Sequence, residues 1–274
     1  MKVVTPENKT IIDYINSIKL NPTDVIFISS DIGNLAMLSK AKGEALDVNA
    51  IIDCFQEKVH EGTIIVPAYT DHLLDGETFD WKKSKPTTGA FSNKVQRRKD
   101  FTRTKDPLHS VFVWGKDSDK LAKIEDESTF GKNSIFTYLR DTNAKFIFID
   151  IHIQACFTYI HYIEEQKKVN YRKSYFYNIR CELPEGAVDK KVKFYSKKLG
   201  VMSDIMDLHA ILEKDEIYKS YTYGNIQIDI LEAKTVWDYA VNCIENGPKL
   251  YRYSIIKHAK DLVKRYLLRR KGIF

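Results

Sequence analysis

Four short apolar runs limit what this chain can fold into: residues 24–29 (DVIFIS), 63–67 (TIIVP), 110–114 (SVFVW) and 145–149 (KFIFI). A run that is apolar on both alternating faces suits a strand covered on both sides, as in a sheet flanked by helices. Between the first two runs, residues 47–59 place Val48, Ile51, Ile52, Phe55 and Val59 on one helical face. Residues 8–19 do the same with Ile11, Ile12, Tyr14, Ile15 and Ile18. Asn21-Pro22-Thr23 breaks the earlier helix, and Glu61-Gly62 ends the later one. This strand–helix–strand rhythm predicts an α/β fold, a three-layer αβα core around a central, mostly parallel sheet.

Residues 70–107 form a long polar excursion with little periodicity, and an excursion of that length in a compact domain is usually functional. Helices are predicted over 117–123 and 134–140. Beyond about residue 170 the pattern is less regular, with strands predicted at 171–181 and 191–195 and helices at 203–214 and 231–246. The tail, 249–274, reads as a basic amphipathic helix with Tyr253, Ile256, Leu262, Val263, Tyr266 and Leu267 on its apolar side. The expected organisation is one domain over 1–274, with a core at about 8–170 and a C-terminal extension at about 171–274.

Composition excludes several classes. A chain of 274 residues that is 43% hydrophobic can bury a sizeable core and is not a disordered one. No apolar run approaches the ~20 residues of a membrane helix. The first ten residues, MKVVTPENKT, lack the apolar region of a signal peptide. Cys54, Cys156, Cys181 and Cys243 are scattered with no CxxC pair, which predicts reduced thiols and a cytoplasmic location. A net charge of +6 allows anionic small molecules as partners but does not by itself indicate nucleic acid. The glycines form neither GxGxxG nor a Walker loop, so nicotinamide and nucleoside-triphosphate chemistry find no support.

The chemistry-bearing stretch is 146–165. Its apolar run opens into Asp150, His152 and Gln154, then Cys156, then Thr158, His161, Glu164 and Glu165 at helical spacing. Ligands in α/β sheets bind just past the carboxyl ends of strands. An imidazole titrates near neutrality and suits a general base, and a carboxylate one helical turn away can fix its tautomer. Two other readings of these residues are weaker. A Cys156–His161 nucleophile has no supporting local motif, and a zinc set of His152, His161 and Glu164 or Glu165 lacks a second histidine at i+4. His109 reads as structural or substrate-facing rather than as a base.

Four further segments lead up to this stretch: Ile28-Ser29-Ser30-Asp31-Ile32-Gly33; Gly62 to Thr70 with Thr88-Gly89-Ala90-Phe91-Ser92; Arg103 to Ser110; and Phe130-Gly131-Lys132-Asn133-Ser134. With Thr158-x-x-His161-x-x-Glu164 they resemble, over roughly residues 8–170, the aminoglycoside 3-N-acetyltransferase family. The resemblance implies acetyl-CoA as co-substrate, no metal, His161 as catalytic base and Glu164 as its carboxylate. It implies that Ser29, Ser30, Asp31, Gly33, Gly89, Ser110 and Ser134 lie near the coenzyme, and that Tyr69, Asp150, His152 and Thr158 face the acceptor. The sequence departs from the family pattern at Ser29, where a histidine often stands, and at Asp150-Ile151-His152, where the family has a Gly-x-Gly turn.

Donors near Gly33 or Ser110 would meet the developing oxyanion, and the basic cluster Lys94, Arg97, Arg98 and Lys99 either meets coenzyme phosphates or is a solvated helix face. A basic chain suits an anionic acceptor better than a polycation. That points to the branch acting on amino sugars, often nucleotide-linked, for surface polysaccharides, with an aminoglycoside-modifying enzyme as the alternative and a catalytically silent binding relative as a third reading. The basic tail, with Lys257, Lys260, Lys264, Arg265, Arg269, Arg270 and Lys271, would lie on anionic membrane or pack on the domain or on a second copy.

Overall fold

The computed structural model describes residues 2–6, 9–256, 259, 260 and 263. In chain order the elements are β1 (Lys2–Thr5), α1 (Ile11–Ser17), β2 (Val25–Ser30), α2 (Gly33–Ala41), α3 (Val48–Lys58), β3 (Thr63–Pro67), β4 (Thr78–Asp80), α4 (Ala90–Val95), β5 (Thr102–Arg103) and β6 (Val111–Gly115). Then come α5 (Ser118–Ala122), α6 (Ile135–Asp141), β7 (Lys145–Ile149), α7 (Ile153–Cys156), α8 (Tyr159–Gln166), β8 (Arg172–Leu183), β9 (Gly186–Lys197) and β10 (Val201–Ser203). The described chain finishes with α9 (Met206–Lys214), β11 (Lys219–Tyr223), β12 (Ile226–Glu232), α10 (Ala233–Asn246) and β13 (Tyr251–Tyr253).

Eight strands form the central sheet in the order β1-β11-β12-β7-β2-β3-β6-β5. Strands β7, β2 and β3 are parallel neighbours, as the continuous apolar runs predict. β6 and β12 run against their neighbours, while the other six strands share one direction. Alternation along each strand feeds two cores. Ile26, Ile28, Ile64, Val66, Ile147 and Ile149 pack with α1 and α3 on one face. Phe27, Ile65, Phe146 and Phe148 pack with α6, α8, α9 and α10 on the other. The three-layer αβα arrangement follows.

Local signals account for several helix starts. Thr10 and Asp13 form a reciprocal capping box at α1, Asp47 caps α3 by accepting from Asn49 N and Ala50 N, and Ser134 caps α6 by accepting from Thr137 N. The excursion at 70–107 is partly ordered: it contains β4, α4 and β5. Buried Arg103 ties it down, donating to the carbonyls of Trp81 (3.2 Å), Ser84 (2.6 Å) and Ala68 (2.8 Å). β4 pairs with the long hairpin β8–β9 in a separate three-stranded sheet.

The core reaches further along the chain than residues 8–170. β11 and β12 insert into the central sheet, β12 directly against β7 with Ile228 opposite Ile149. The start of the expected C-terminal helix is instead a strand, β13, paired antiparallel with β10 and carrying Tyr251, whose ring packs tilted against Tyr171 with 4.1 Å between centroids. Ile255 and Ile256 are helical and exposed. Most of the remaining basic tail, including Lys257, Leu262, Lys264, Arg265, Tyr266, Leu267, Arg269, Arg270 and Lys271, lies outside the described residues.

Candidate active site

Helix α8 follows β7 through the short α7, so its first turn stands at the carboxyl end of the sheet's central strand. Three positions apart on that helix, His161 and Glu164 project side by side. His161 Nδ1 lies 2.9 Å from Glu164 Oε2. Glu164 is 1% exposed, whereas the imidazole keeps 29% of its surface open. The ring is therefore partly open to solvent, while the carboxylate behind it is not.

The carboxylate is held from two other directions. Tyr171 Oη donates to Glu164 Oε1 at 2.9 Å, and Arg172 Nε sits 2.6 Å from Glu164 Oε2. Burial alone would raise the Glu164 pKa, but the His161 hydrogen bond, the Arg172 cation and the Tyr171 hydroxyl together hold it below the usual carboxylate range. For His161 the balance falls the other way. Burial, then the Arg172 cation, push its pKa down to about 4, against the opposing pull of Glu164. The site at neutral pH thus holds a neutral imidazole, an ionised carboxylate and a guanidinium.

A continuous set of contacts joins this base to the strand ends. Phe130 lies edge-on to His161 (6.3 Å between centroids) and packs against His109 (5.3 Å). His109 in turn meets Tyr69 edge-on at 4.9 Å. Tyr69 hydrogen-bonds to Thr158, the residue before α8, and Cys156 to Ser29 on β2. Ser30 ends β2. Asp31 N donates to Ile149 O (2.9 Å), and Asp31 Oδ1 accepts from Gly33 N (2.9 Å). Gly89 precedes α4 at φ 97°, a conformation that favours glycine, and a Cβ there would meet only the Ser30 carbonyl, at 3.9 Å.

A family model for aminoglycoside 3-N-acetyltransferases matches residues 34–245. This chain belongs to that family. A comparison with curated protein sequences finds no match. Among solved structures, AAC-IIIb in a binary complex with coenzyme A superposes with a TM-score of 0.71 at 14% identity, over 85% of this chain and 94% of that one. YokD from Bacillus subtilis gives 0.70 at 15% identity, over 87% and 94%. Sisomicin-bound AAC-VIa gives 0.69 at 14% identity, over 85% and 96%. At such identities the superpositions establish the shared fold, while the family match makes the protein an N-acetyltransferase that uses acetyl-CoA.

Within this acetyltransferase the expected residues separate into three groups. His161 and Glu164 touch directly, and Ser29, Ser30, Asp31, Gly33, Gly89, Tyr69 and Thr158 gather at the ends of β2 and β3. Asp150 occupies its turn at φ 50°, the left-handed region where the family pattern has glycine and where aspartate is among the better-tolerated alternatives. Its Oδ2 accepts from Asn34 Nδ2 at 2.8 Å, locking the β7–α7 turn to α2.

Other residues stand apart. Ser110 is completely buried, donating to Ala68 O (2.9 Å) and accepting from Arg103 Nε (3.0 Å). Its side chain anchors Arg103, and both of its contacts are within the protein. His152 caps α7, accepts from Gln154 N (3.0 Å) and packs against His209 (4.4 Å). Glu165 is taken by Ser128 (2.8 Å) and Lys193 (2.6 Å), so the zinc set read from the sequence is not gathered. Ser134 caps α6 on the rim of a 420 Å³ cleft that also includes His109, Asp106 and Lys190. Of the basic cluster, Arg98 is paired with Asp53 (2.7 Å) and Asp100 (2.7 Å), while Lys94 and Arg97 line a shallow cleft with Lys85. Burial pushes the Cys156 thiol up to about 12, which removes its thiolate at neutral pH. Arg172 and Tyr171 have no motif of their own, and only the pairing of β8 with β9 and the docking of that hairpin beside α8 bring them to His161; Phe130, which opens the Phe130–Ser134 segment, reaches the ring from the loop before α6.

Proposed function

We propose that the protein transfers the acetyl group of acetyl-CoA to an amino group of an aminoglycoside-type acceptor, with His161 as general base. The observation that carries this reading is the partly exposed imidazole backed by the buried Glu164 carboxylate at 2.9 Å. The amine nitrogen attacks the thioester carbonyl and forms the C–N bond. His161 Nε2 takes the amine proton, while Nδ1–H points to Glu164, whose charge stabilises the imidazolium. Collapse of the tetrahedral adduct breaks the C–S bond, and the departing thiolate takes the proton back from the imidazolium. The buried, protonated Cys156 thiol favours this direct route over an acyl-enzyme.

Acetyl-CoA supplies the activated acyl group, and Ser30, Asp31, Gly33 and Gly89 at the end of β2 are the residues we assign to it. Gly89 fits that role, because its backbone presents an open face with no side chain over it. For the acceptor, the family and the sisomicin bound to AAC-VIa favour an aminoglycoside over a nucleotide-linked sugar. Net charge, which argued the other way, belongs to the whole surface. Asp150, at the end of β7, is a carboxylate that suits an ammonium group.

The test is thiol release from acetyl-CoA with a panel of aminoglycosides and nucleotide-linked amino sugars. Turnover with aminoglycosides is expected, and turnover with nucleotide sugars alone would reject the acceptor class. His161→Ala should lower kcat by ~10²–10⁴ with little change in KM for acetyl-CoA. Near-normal turnover in that variant would reject the base.

A further inference from the structure

The basic cluster that follows Gly89 divides once the chain is folded. Arg98 is committed to Asp53 and Asp100, each at 2.7 Å. Lys94 and Arg97 instead join Lys85, from the preceding loop, in lining a 440 Å³ cleft completed by Ala90, Asn93 and Gln96. No carboxylate lines this cleft, and among the described residues none of its three cations has an acidic side chain within salt-bridge distance.

Ala90, Asn93, Lys94 and Arg97 recur at three- and four-residue spacing, so they share the side of α4 and its closing turn that lies opposite buried Phe91, Ser92 and Val95. Lys85 belongs to a separate segment that is tied to this helix. Gln96 Nε2 donates to the carbonyls of Lys82 (3.2 Å) and Ser84 (3.1 Å), and Pro86 is buried. A cation in the last turn of a helix is favoured by the helix dipole, which accounts for Lys94. The dipole does not account for a third cation brought in from another segment, because like charges gathered in one cleft repel unless an anion joins them. The cleft also begins where the coenzyme is assigned. Asn93 Nδ2 donates to Gly89 O (2.9 Å), and Gly89 turns its open backbone face to the Ser30 carbonyl at the end of β2. From Gly89 to Arg97 the helical rise covers about 12 Å.

We infer that Lys85, Lys94 and Arg97 bind the 3′-phosphate of coenzyme A. The inference rests on the assignment of the coenzyme to Ser30, Asp31, Gly33 and Gly89. A phosphate monoester carries a charge of about −1.5 to −2 at pH 7 and three acceptor oxygens, so it can answer three cations in one place. The diphosphate linkage spreads its charge over two phosphorus centres and lies nearer the thioester, whereas the 3′-phosphate stands at the end of the coenzyme remote from it. That placement matches a cleft set well back from the strand ends along α4. The Arg97 guanidinium can meet two phosphate oxygens at once, and the two ammonium groups add point charges. The three side chains would thereby set a preference for coenzyme A over its dephosphorylated form.

The experiment is titration calorimetry with coenzyme A and with 3′-dephospho-coenzyme A at low ionic strength. The proteins are wild type, Arg97→Ala, the double variant Lys94→Ala/Arg97→Ala, and Lys99→Ala. Lys99 is exposed and outside the cleft, so its loss removes the same charge as Arg97→Ala without touching the site. Wild type should bind coenzyme A at least about tenfold more tightly than the dephospho form, a factor that one charge-assisted hydrogen bond can supply. Arg97→Ala should narrow that ratio, and the double variant should bring it to about one while holding the dephospho affinity within about twofold. Lys99→Ala should keep the wild-type ratio. Equal affinities in wild type overturn the inference, as does a loss in the double variant that both ligands share, or a Lys99→Ala effect as large as that of Arg97→Ala. No binding of either ligand would overturn it together with the coenzyme assignment. The titrations need neither an acceptor nor turnover, so the expected ratios in a protein inactive on aminoglycosides would sustain this inference and reject the proposed activity instead.

Discussion

Removing the Glu164 carboxylate should cost stability as well as rate, and the structure fixes the size of the loss. Glu164 is 1% and Arg172 3% exposed, and their N···O distance is 2.6 Å. In Glu164→Ala the guanidinium keeps its positive charge in a place water does not reach, with Tyr195 O and Ser203 Oγ as its remaining acceptors. Breaking one side of such a pair costs about 3–5 kcal/mol. The Tyr171 hydroxyl, which loses its acceptor, adds about 1 kcal/mol. For a chain of this length each kcal/mol lowers Tm by roughly 2–4 °C, so a fall of about 8–24 °C is expected. Arg172→Met leaves the opposite charge stranded and should cost a similar amount. In the double variant neither charge remains, so its loss should fall short of the sum of the two singles by at least about 2 kcal/mol. Urea melts of the four proteins at pH 7.5 measure this cycle. Additivity within ~0.5 kcal/mol would show that the two charges do not compensate each other and would refute the argument.

Two further outcomes follow from the same site. The folded His161 pKa, about 4, lies below the ~6.5 of an unfolded imidazole, so the unfolded chain takes up that proton first as pH falls. His161's contribution to stability is therefore complete above about pH 6.5 and lost on the way to pH 4, with a slope near 1.4 kcal/mol per pH unit. Comparing wild type with His161→Asn at pH 7.5, 5.5 and 4.5 should isolate it, and parallel stability curves would contradict the shift. Cys156, with its thiol pushed up to about 12, should react with maleimide at pH 8 roughly 10³-fold more slowly than a free thiol, read by mass spectrometry of its peptide. Cys156→Ala should keep kcat within about threefold; loss of turnover would revive the acyl-enzyme route.

Elements with strong local periodicity stood out in the sequence, and those whose partners are distant did not. Helix α3 puts Ile51, Ile52 and Phe55 on one buried face, and the runs of β2, β3 and β7 are apolar on both faces because both faces are covered. Helix α2 has only Leu35 and Ser39 buried, so no apolar stripe announces it. The β11–β12 hairpin lies some 75 residues beyond β7 in the chain, and nothing in its own pattern names β7 as its partner. The tail's β-forming Tyr251 and Tyr253 were masked by the basic residues after them, and their strand exists because β10 offers an edge.

The candidate site divides along the same line. Residues three apart on a helix are neighbours whatever the rest of the chain does, so Thr158-x-x-His161-x-x-Glu164 carried the His161–Glu164 pair in the sequence itself. The turn at Asp150 showed in the sequence only as a departure from the family's Gly-x-Gly pattern, and its φ of 50° came from the structure. Whether that imidazole is charged, which of its nitrogens holds a proton, and whether a serine faces a ligand or a buried arginine depend on burial and on groups far away in sequence. Arg172 against Glu164, Tyr69 against Thr158, and Ser110 beneath Arg103 were fixed only when separate strands closed around α8 and β3. Desolvation and long-range charge are properties of the packed molecule, and no spacing along the chain encodes them.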